Sequence, residues 1–294
     1  LLSFLYTLYL FTFSDFITVL LPQTLFALFS VLSNKFMATT PSFEVLALHY
    51  RILPVVLWIW LQLLVLDVAN QRLPDSIAED IMNKPWRPIT SGRITVEGAR
   101  WLLISSIVVT FATSCYFGVA SEALLLFTLN WMYNDLGLAN SHRLPRNLLN
   151  ALGITMIGVG ATSVAGKGLA FLRVPAASWS LLCAGMLVTT IHAQDIYDQQ
   201  GDAARDRSTV PLVFGDTAAR WSVAVGVLFW SVVMPAYLNI LFYEQWVVFF
   251  GPVLLGIMVA ARILTLRGIV EDKRTFGFWA AWTISIYSLP LLAL

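Results

Sequence analysis

The chain of 294 residues is 58% hydrophobic and 12% charged, with a formal net charge of +1. Its mean hydropathy is +0.76. Soluble domains carry about 25% charged residues, so this composition excludes a disordered chain, a disulfide scaffold and an ordinary soluble enzyme, and leaves a polytopic membrane protein.

A membrane span needs about 20 predominantly apolar residues. Nine stretches meet that need: 8–32, 46–68, 98–117, 121–138, 148–166, 176–193, 218–240, 246–266 and 275–294. They are too long and too uniformly apolar for strands, so the expected fold class is all-α, a single domain over 1–294 with nine transmembrane helices. Pro235, Pro252 and Pro290 fall inside spans, where membrane bundles tolerate kinks. Cys115 and Cys183 lie in apolar runs and read as small core residues. The chain opens on Leu1 inside an apolar stretch, which reads as a trimmed start.

The loops alternate in charge. Those after the first, third, fifth and seventh spans hold chiefly Lys35, Lys167 and Arg173. Those after the second, fourth, sixth and eighth, with adjoining helix ends, hold Arg72, Lys84, Arg87, Arg93, Arg100, Arg143, Arg146, Arg205, Arg207, Arg220, Arg262, Arg267, Lys273 and Arg274. The positive-inside rule places this second set, and the N-terminus, in the cytoplasm.

Two acid-rich windows fall on that same face. In the first, the second span ends at Asp67 and Asn70, and Pro74 suits the first turn of a new helix. Asp75 and Glu79 are then at i and i+4, with Asp80 about 100° further round. Asn83, Lys84, Pro85, Trp86, Arg87, Pro88, Ser91, Gly92 and Arg93 follow, and Glu97 closes the window. The second window carries His192, Asp195, Tyr197, Asp198, Asp202, Arg205, Asp206, Arg207, Pro211 and Asp216. Asp195, Asp198 and Asp202 are at i, i+3 and i+7, within about a 60° arc of one helix. The two windows share one plan, four helices apart: a span ends in helically spaced acids, then basic residues and proline.

Three carboxylates on one stripe repel unless a cation separates them. Magnesium suits the role, because it takes carboxylate oxygen, water and substrate phosphate. With Lys84, Arg87, Arg205 and Arg207 beside it, the site could hold a diphosphate. Such charge neutralisation is what ionising an allylic diphosphate requires. The cation left behind needs a dry aromatic surround, for which Trp58, Trp60, Phe127, Trp131, Tyr133, Trp179 and Tyr197 are candidates. The plainer readings are solvated acids, lipid-binding Lys and Arg, core aromatics and a buried structural histidine at His192. The repeated plan argues against the first two. Gly158 and Gly160 read as helix-packing residues.

The stretch Asn83-Lys84-Pro85-Trp86-Arg87-Pro88-Ile-Thr-Ser91-Gly92-Arg93 resembles the Asn-Lys-Pro-x-Arg-Pro-x-x-Ser-Gly-Arg signature of the UbiA superfamily of intramembrane prenyltransferases. Asp195-x-x-Asp198-x-x-x-Asp202, followed by Arg207-Ser-Thr-Val-Pro211, is similar to its second motif. The resemblance covers essentially the whole chain and implies a helical bundle around a central cavity. It departs in the first motif, where Asp80 fits the second family Asp, Ser76 stands at the first, and Asn70 lies two residues too far upstream. It departs again after the fourth span, where Tyr133, Asn134, Asp135 and Asn140 replace a Tyr and Lys-Arg arrangement. These departures resemble a divergent fungal branch that includes membrane-bound sesquiterpene cyclases.

The resemblance implies a magnesium-dependent cyclase of a linear prenyl diphosphate, farnesyl diphosphate first among them, in the endoplasmic reticulum or another internal membrane. The alternative is a prenyltransferase using an aromatic or other lipophilic acceptor. The implied metal set is Asn70, Asp75, Glu79, Asp80, Asp195, Asp198 and Asp202, with Asp75, Asp80, Asp198 and Asp202 catalytic. Lys84, Arg87, Arg143, Arg205 and Arg207 would grip diphosphate, and Trp58, Tyr133, Asn134, His192 and Tyr197 would line the prenyl pocket. The bilayer is the other expected partner, and nothing points to nucleic acid. A transporter or proton relay would place acids near the membrane midplane, which the clustering at one face opposes.

Overall fold

The computed structural model describes residues 1–33, 49–141, 143–166, 174–240 and 243–292. Lys35, His142, Lys167 and Arg173 lie outside the described residues. All regular elements are helical, with no strand among the described residues. The first expected span is one apolar run, Leu2–Leu32, but not one regular helix. α1 (Leu2–Thr12) passes through a 3-10 turn, Phe13–Asp15, and a π-helical stretch, Phe16–Leu20, into α2 (Leu21–Leu32). There follow α3 (His49–Gln71), α4 (Pro74–Asn83), α5 (Val96–Phe117), α6 (Ala120–Asn134), α7 (Leu138–Ser141) and α8 (Arg143–Ala165). The second half holds α9 (Val174–Thr190), α10 (Asp195–Ala204), α11 (Val210–Phe214), α12 (Asp216–Tyr237), α13 (Trp246–Thr265) and α14 (Ile269–Leu292).

Among the described residues, 7 helical runs are long and apolar enough to cross a membrane, against nine expected. The two others are helices at the expected places. α6 has 15 residues, about 22 Å at 1.5 Å per residue, short of a hydrocarbon core about 30 Å thick. α14 has 24 residues but opens on Glu271 and Asp272 and is rich in Trp, Tyr, Ser and Thr.

Two large apolar cores, and a smaller one around Phe11, Leu64, Val68 and Ala99, hold the bundle together. Trp58, Ile59 and Leu63 of α3 pack with Ala27 and Val31 of α2, Leu126 of α6 and Ile157 of α8. Met186 and Leu187 of α9 pack with Val223 and Val227 of α12, Val259 of α13, and Trp282 and Ile286 of α14. Gly158 and Gly160 permit the first core. A Cβ on Gly160 would stand 2.3 Å from Trp58, and one on Gly158 2.4 Å from Gln23 Oε1. Cys183 is buried as expected, but Cys115 is exposed. It sits on α5, which buries only a stripe of small residues, Ala99, Ser106, Thr110 and Ser114. Outward-facing apolar side chains such as Trp101, Val108 and Phe229 are exposed, as expected of a surface that meets lipid.

Candidate active site

Pro74 lies in the first turn of α4, where proline is pre-set for a helix. α4 then packs across α10, so the two acid-rich windows meet. Gly201 makes the approach possible, because a Cβ there would stand 2.1 Å from Asn83 Nδ2. Asn83 Nδ2 donates to the Asp198 carbonyl at 3.3 Å and to Asp198 Oδ1 at 3.4 Å.

Each acid at this junction has a basic partner. Arg87 donates to both oxygens of Asp80 at 2.8 and 3.0 Å. Arg146 donates to Asp195 at 2.8 Å, and Arg207 to Asp202 at 2.9 Å. Glu79 accepts from Arg205 at 3.1 Å and from Arg207 at 3.2 Å. Asp198 is held more loosely, with Lys84 Nζ at 3.7 Å. The expected repulsion along Asp195, Asp198 and Asp202 is thus relieved in this structure by one cation per carboxylate. Among the described residues, no three acidic, histidine or cysteine side chains converge closely enough to hold a metal ion by themselves.

Burial and the facing cations act in opposite directions on these carboxyls, and the balance differs from one to the next. Burial pushes Asp195 up to about 6, aided by Asp202 and opposed by Arg146. Asp202 is raised by burial in spite of Arg146 and Arg207. At Glu79, Arg207, Lys84 and Arg205 together outweigh burial and hold the carboxyl below its ordinary value. Tyr197 is pushed well up by burial and by Asp198, so its phenol stays protonated.

The pairing is incomplete. The Nε groups of Arg87, Arg146, Arg205 and Arg207 are buried without a hydrogen-bond partner, and so is Asp202 Oδ2. Buried polar atoms are ordinarily satisfied. Four spare donors and one spare carboxylate oxygen leave hydrogen-bonding capacity for both an anion and a cation. Three of these arginines line or adjoin one cavity of about 500 Å³, whose wall includes Lys84, Arg87, Arg146, Asp198 and Arg207. Its remaining wall is mostly apolar, with Phe16, Val65, Leu126, Phe127, Leu149, Ile154, Ile157 and Trp279. The cavity therefore joins a set of charged groups to apolar wall suited to a hydrocarbon, with polar side chains such as Gln62, Asn130 and Asn150 among them.

Several expected site residues reach this cavity: Asn70, Glu79, Lys84, Arg87, Tyr133, Tyr197, Asp198 and Arg207. Asn134 stands one bond behind, accepting from Asn70 Nδ2 at 2.7 Å and donating to Asn130 at 2.5 Å. Asp75 does not join. It is exposed, in the first turn of α4, where an acid complements the helix dipole, and it accepts from Asn140 at 3.4 Å. Trp58 is not in the cavity wall but fully buried in the first core, donating to Ser114 at 2.9 Å. His192 turns toward α12, where Nε2 meets Ser222 Oγ at 2.6 Å. Trp179 belongs to the second core, and Trp60 donates to Thr12. The Arg143 side chain lies outside the described residues. Sequence reasoning assigned no role to Asp15, Asp67, Arg146 or Lys273, all of which line the cavity. A charged residue inside an apolar span was the available signal for Asp15 and Asp67.

Residues 27–282 match the UbiA prenyltransferase family. The chain belongs to that family. It is 35% identical over 233 residues to the fumagillin beta-trans-bergamotene synthase of Aspergillus fumigatus, covering 79% of this chain and 74% of that protein. It is 30% identical over 288 residues to the somaliensene A/B synthase of Streptomyces somaliensis, covering 97% and 90%. A UbiA homologue from Archaeoglobus fulgidus, solved bound to GPP and Mg2+, shares the fold with a TM-score of 0.62 and 13% identity, over 94% of this chain and 99% of that one. As a UbiA enzyme with several apolar spanning helices, this is an integral membrane protein.

Proposed function

We propose that this UbiA enzyme is a magnesium-dependent terpene cyclase, a carbon–oxygen lyase that ionises a linear prenyl diphosphate and closes a cyclic sesquiterpene. Farnesyl diphosphate is the proposed substrate. The observation that carries the reading is the set of unpartnered buried Nε groups, three of them on arginines that line a largely apolar cavity. The relatives named as synthases support it.

The donor set fits magnesium, which is a hard ion commonly held by one or two carboxylates together with substrate phosphates. Asp198 and Asp202 are the first candidates to hold it, one loosely paired and one with a spare oxygen. Asp195, Glu79, Asp80 and Asn70 stand next. When bound, magnesium supplies positive charge to the departing diphosphate. Arg87, Arg146, Arg205 and Arg207 would direct their spare Nε donors at the diphosphate oxygens, and Lys84 would add a point charge. The apolar wall, with Phe127 and Trp279, would exclude water that quenches the cation. The whole chain serves as one catalytic unit, in an internal membrane such as the endoplasmic reticulum, with the site opening to the cytoplasm.

A second reading has its own support. Gln62, Asn130, Asn150 and Gln194 put amides in the cavity wall, and a polar acceptor for prenyl transfer could bond to them. The decisive experiment gives purified protein in phospholipid vesicles magnesium and farnesyl diphosphate without an acceptor. A cyclic hydrocarbon with equimolar diphosphate is expected. Turnover only after an acceptor is added would overturn the cyclase in favour of transfer.

A further inference from the structure

The irregular stretch of the first span has a chemical consequence. Phe13, Ser14, Asp15, Phe16, Ile17, Thr18 and Val19 all line the cavity, and they make up most of the 3-10 turn and π-helical stretch between α1 and α2. Departures of this kind from α-helix recur at functional positions. Asp15 is the one acid among them. It meets Asp67, which is 5% exposed near the end of α3 and lines the same wall.

The Asp15 and Asp67 carboxyls are within hydrogen-bonding reach of each other. Thr18 Oγ1 donates to Asp15 Oδ1 at 3.5 Å. Asp67 Oδ2 is buried without a partner. Among the described residues no ion pair is formed by either acid, unlike Glu79, Asp80, Asp195 and Asp202. Arg87 and Lys84 act on the pair only at longer range, and Tyr197 faces it from α10. Asp67 Oδ2 thus keeps hydrogen-bonding capacity that no described side chain takes up. One carboxylate oxygen therefore remains available on the cavity wall. An intramembrane acid kept without its own counter-ion is costly, and such residues mark sites of function.

We infer that the Asp15–Asp67 pair is the proton acceptor that ends the reaction. The inference rests on the cyclase reading above. After ring closure the cation must lose a proton to become a neutral olefin. The C–H bond next to the cationic carbon breaks, its electron pair becomes the new C=C bond, and the proton passes to Asp67 Oδ2. Nothing is oxidised or reduced. The proton then leaves with the diphosphate past the charged groups of the cavity.

The test uses the full chain in phospholipid vesicles with magnesium and farnesyl diphosphate, and measures diphosphate release and products separately. Wild type, Asp15→Asn, Asp67→Asn and the corresponding Glu variants are compared. A positioned base contributes about 10²-fold or more to its step. Asp15→Asn and Asp67→Asn are expected to lower olefin formation much more than diphosphate release. The wild-type olefin per diphosphate should fall at least about tenfold as water-captured alcohols rise, with partial restoration in the Glu variants. An unchanged product profile in both Asn variants would overturn the inference. So would parallel loss of diphosphate release and olefin, in protein whose melting temperature is unchanged. The Glu variants, which keep the carboxyl, decide the matter if an Asn variant does not fold. A wild type that makes no product without an acceptor refutes the cyclase reading, and the inference falls with it.

Discussion

Two buried ionic clusters in this bundle resemble each other in composition and differ in completeness. At the junction of α12, α13 and α14, Arg220 donates to Asp216 at 2.8 Å, to both oxygens of Asp272 at 2.7 and 2.8 Å, and to the Ile263 carbonyl at 3.0 Å. Gln199 and Arg267 complete Asp216. None of Arg220, Asp216 and Asp272 is among the residues with an unpartnered buried side-chain atom. At the junction of α4 and α10, four arginine Nε groups and Asp202 Oδ2 have no partner. A fully satisfied network fastens helices; a partly satisfied one costs stability unless something fills it. The same residue types therefore make a satisfied clamp in one place and, on the function proposed above, a binding site in the other. The α4–α10 cluster differs in its spare hydrogen-bonding capacity and in adjoining the large cavity.

Substitutions should split along that line. Asp198→Asn removes the most loosely paired acid, and diphosphate release should fall by about 10³-fold, with the melting temperature nearly unchanged. Arg220→Met leaves Asp272 buried and unpaired, and should cost about 3–5 kcal/mol of stability, read by thermal unfolding in detergent. Protein that survives should keep its KM. Arg207→Lys replaces a fork that serves Glu79 and Asp202 at once by a single point charge. Loss of a charged hydrogen bond is worth about 1.5–3 kcal/mol, seen chiefly as a higher KM. Gly201→Ala drives a Cβ into Asn83 and should cost about 1–3 kcal/mol, lowering activity and stability together because it parts α4 from α10. Trp58 does not itself line the cavity, so Trp58→Phe should cost about 1 kcal/mol for its lost hydrogen bond and leave the product profile as it was.

The legible part of this site was the part carried by local spacing. Asp195, Asp198 and Asp202 lie on one helix, so their shared face follows from 100° per residue, and all three are buried together. Lys84 and Arg87 follow from a contiguous signature. Arg146 and Lys273 come from α8 and α14, and only the packing of distant helices brings them to the cavity. Asp15 stood alone in an apolar span, and its partner is 52 residues away in sequence, on α3. Residue type misled at Trp58 and His192, since an aromatic ring in a span gives no sign of which side of the helix meets the cavity. Asp75 showed the limit of spacing itself. It shares a face with Glu79, but it sits in the first turn of α4, where it is exposed. The fold class was readable from apolar run length, while the number of spans was not, because α6 is short and α14 is polar at its start.

The contrast between the two clusters reduces to one binding measurement. Inorganic diphosphate is titrated calorimetrically into the purified protein with magnesium, with a chelator, and into Asp198→Asn and Arg274→Gln variants. One site is expected that needs magnesium, is lost in Asp198→Asn and is unchanged in Arg274→Gln, which alters the α14 end alone. Equal binding in the chelator and in Asp198→Asn would contradict it.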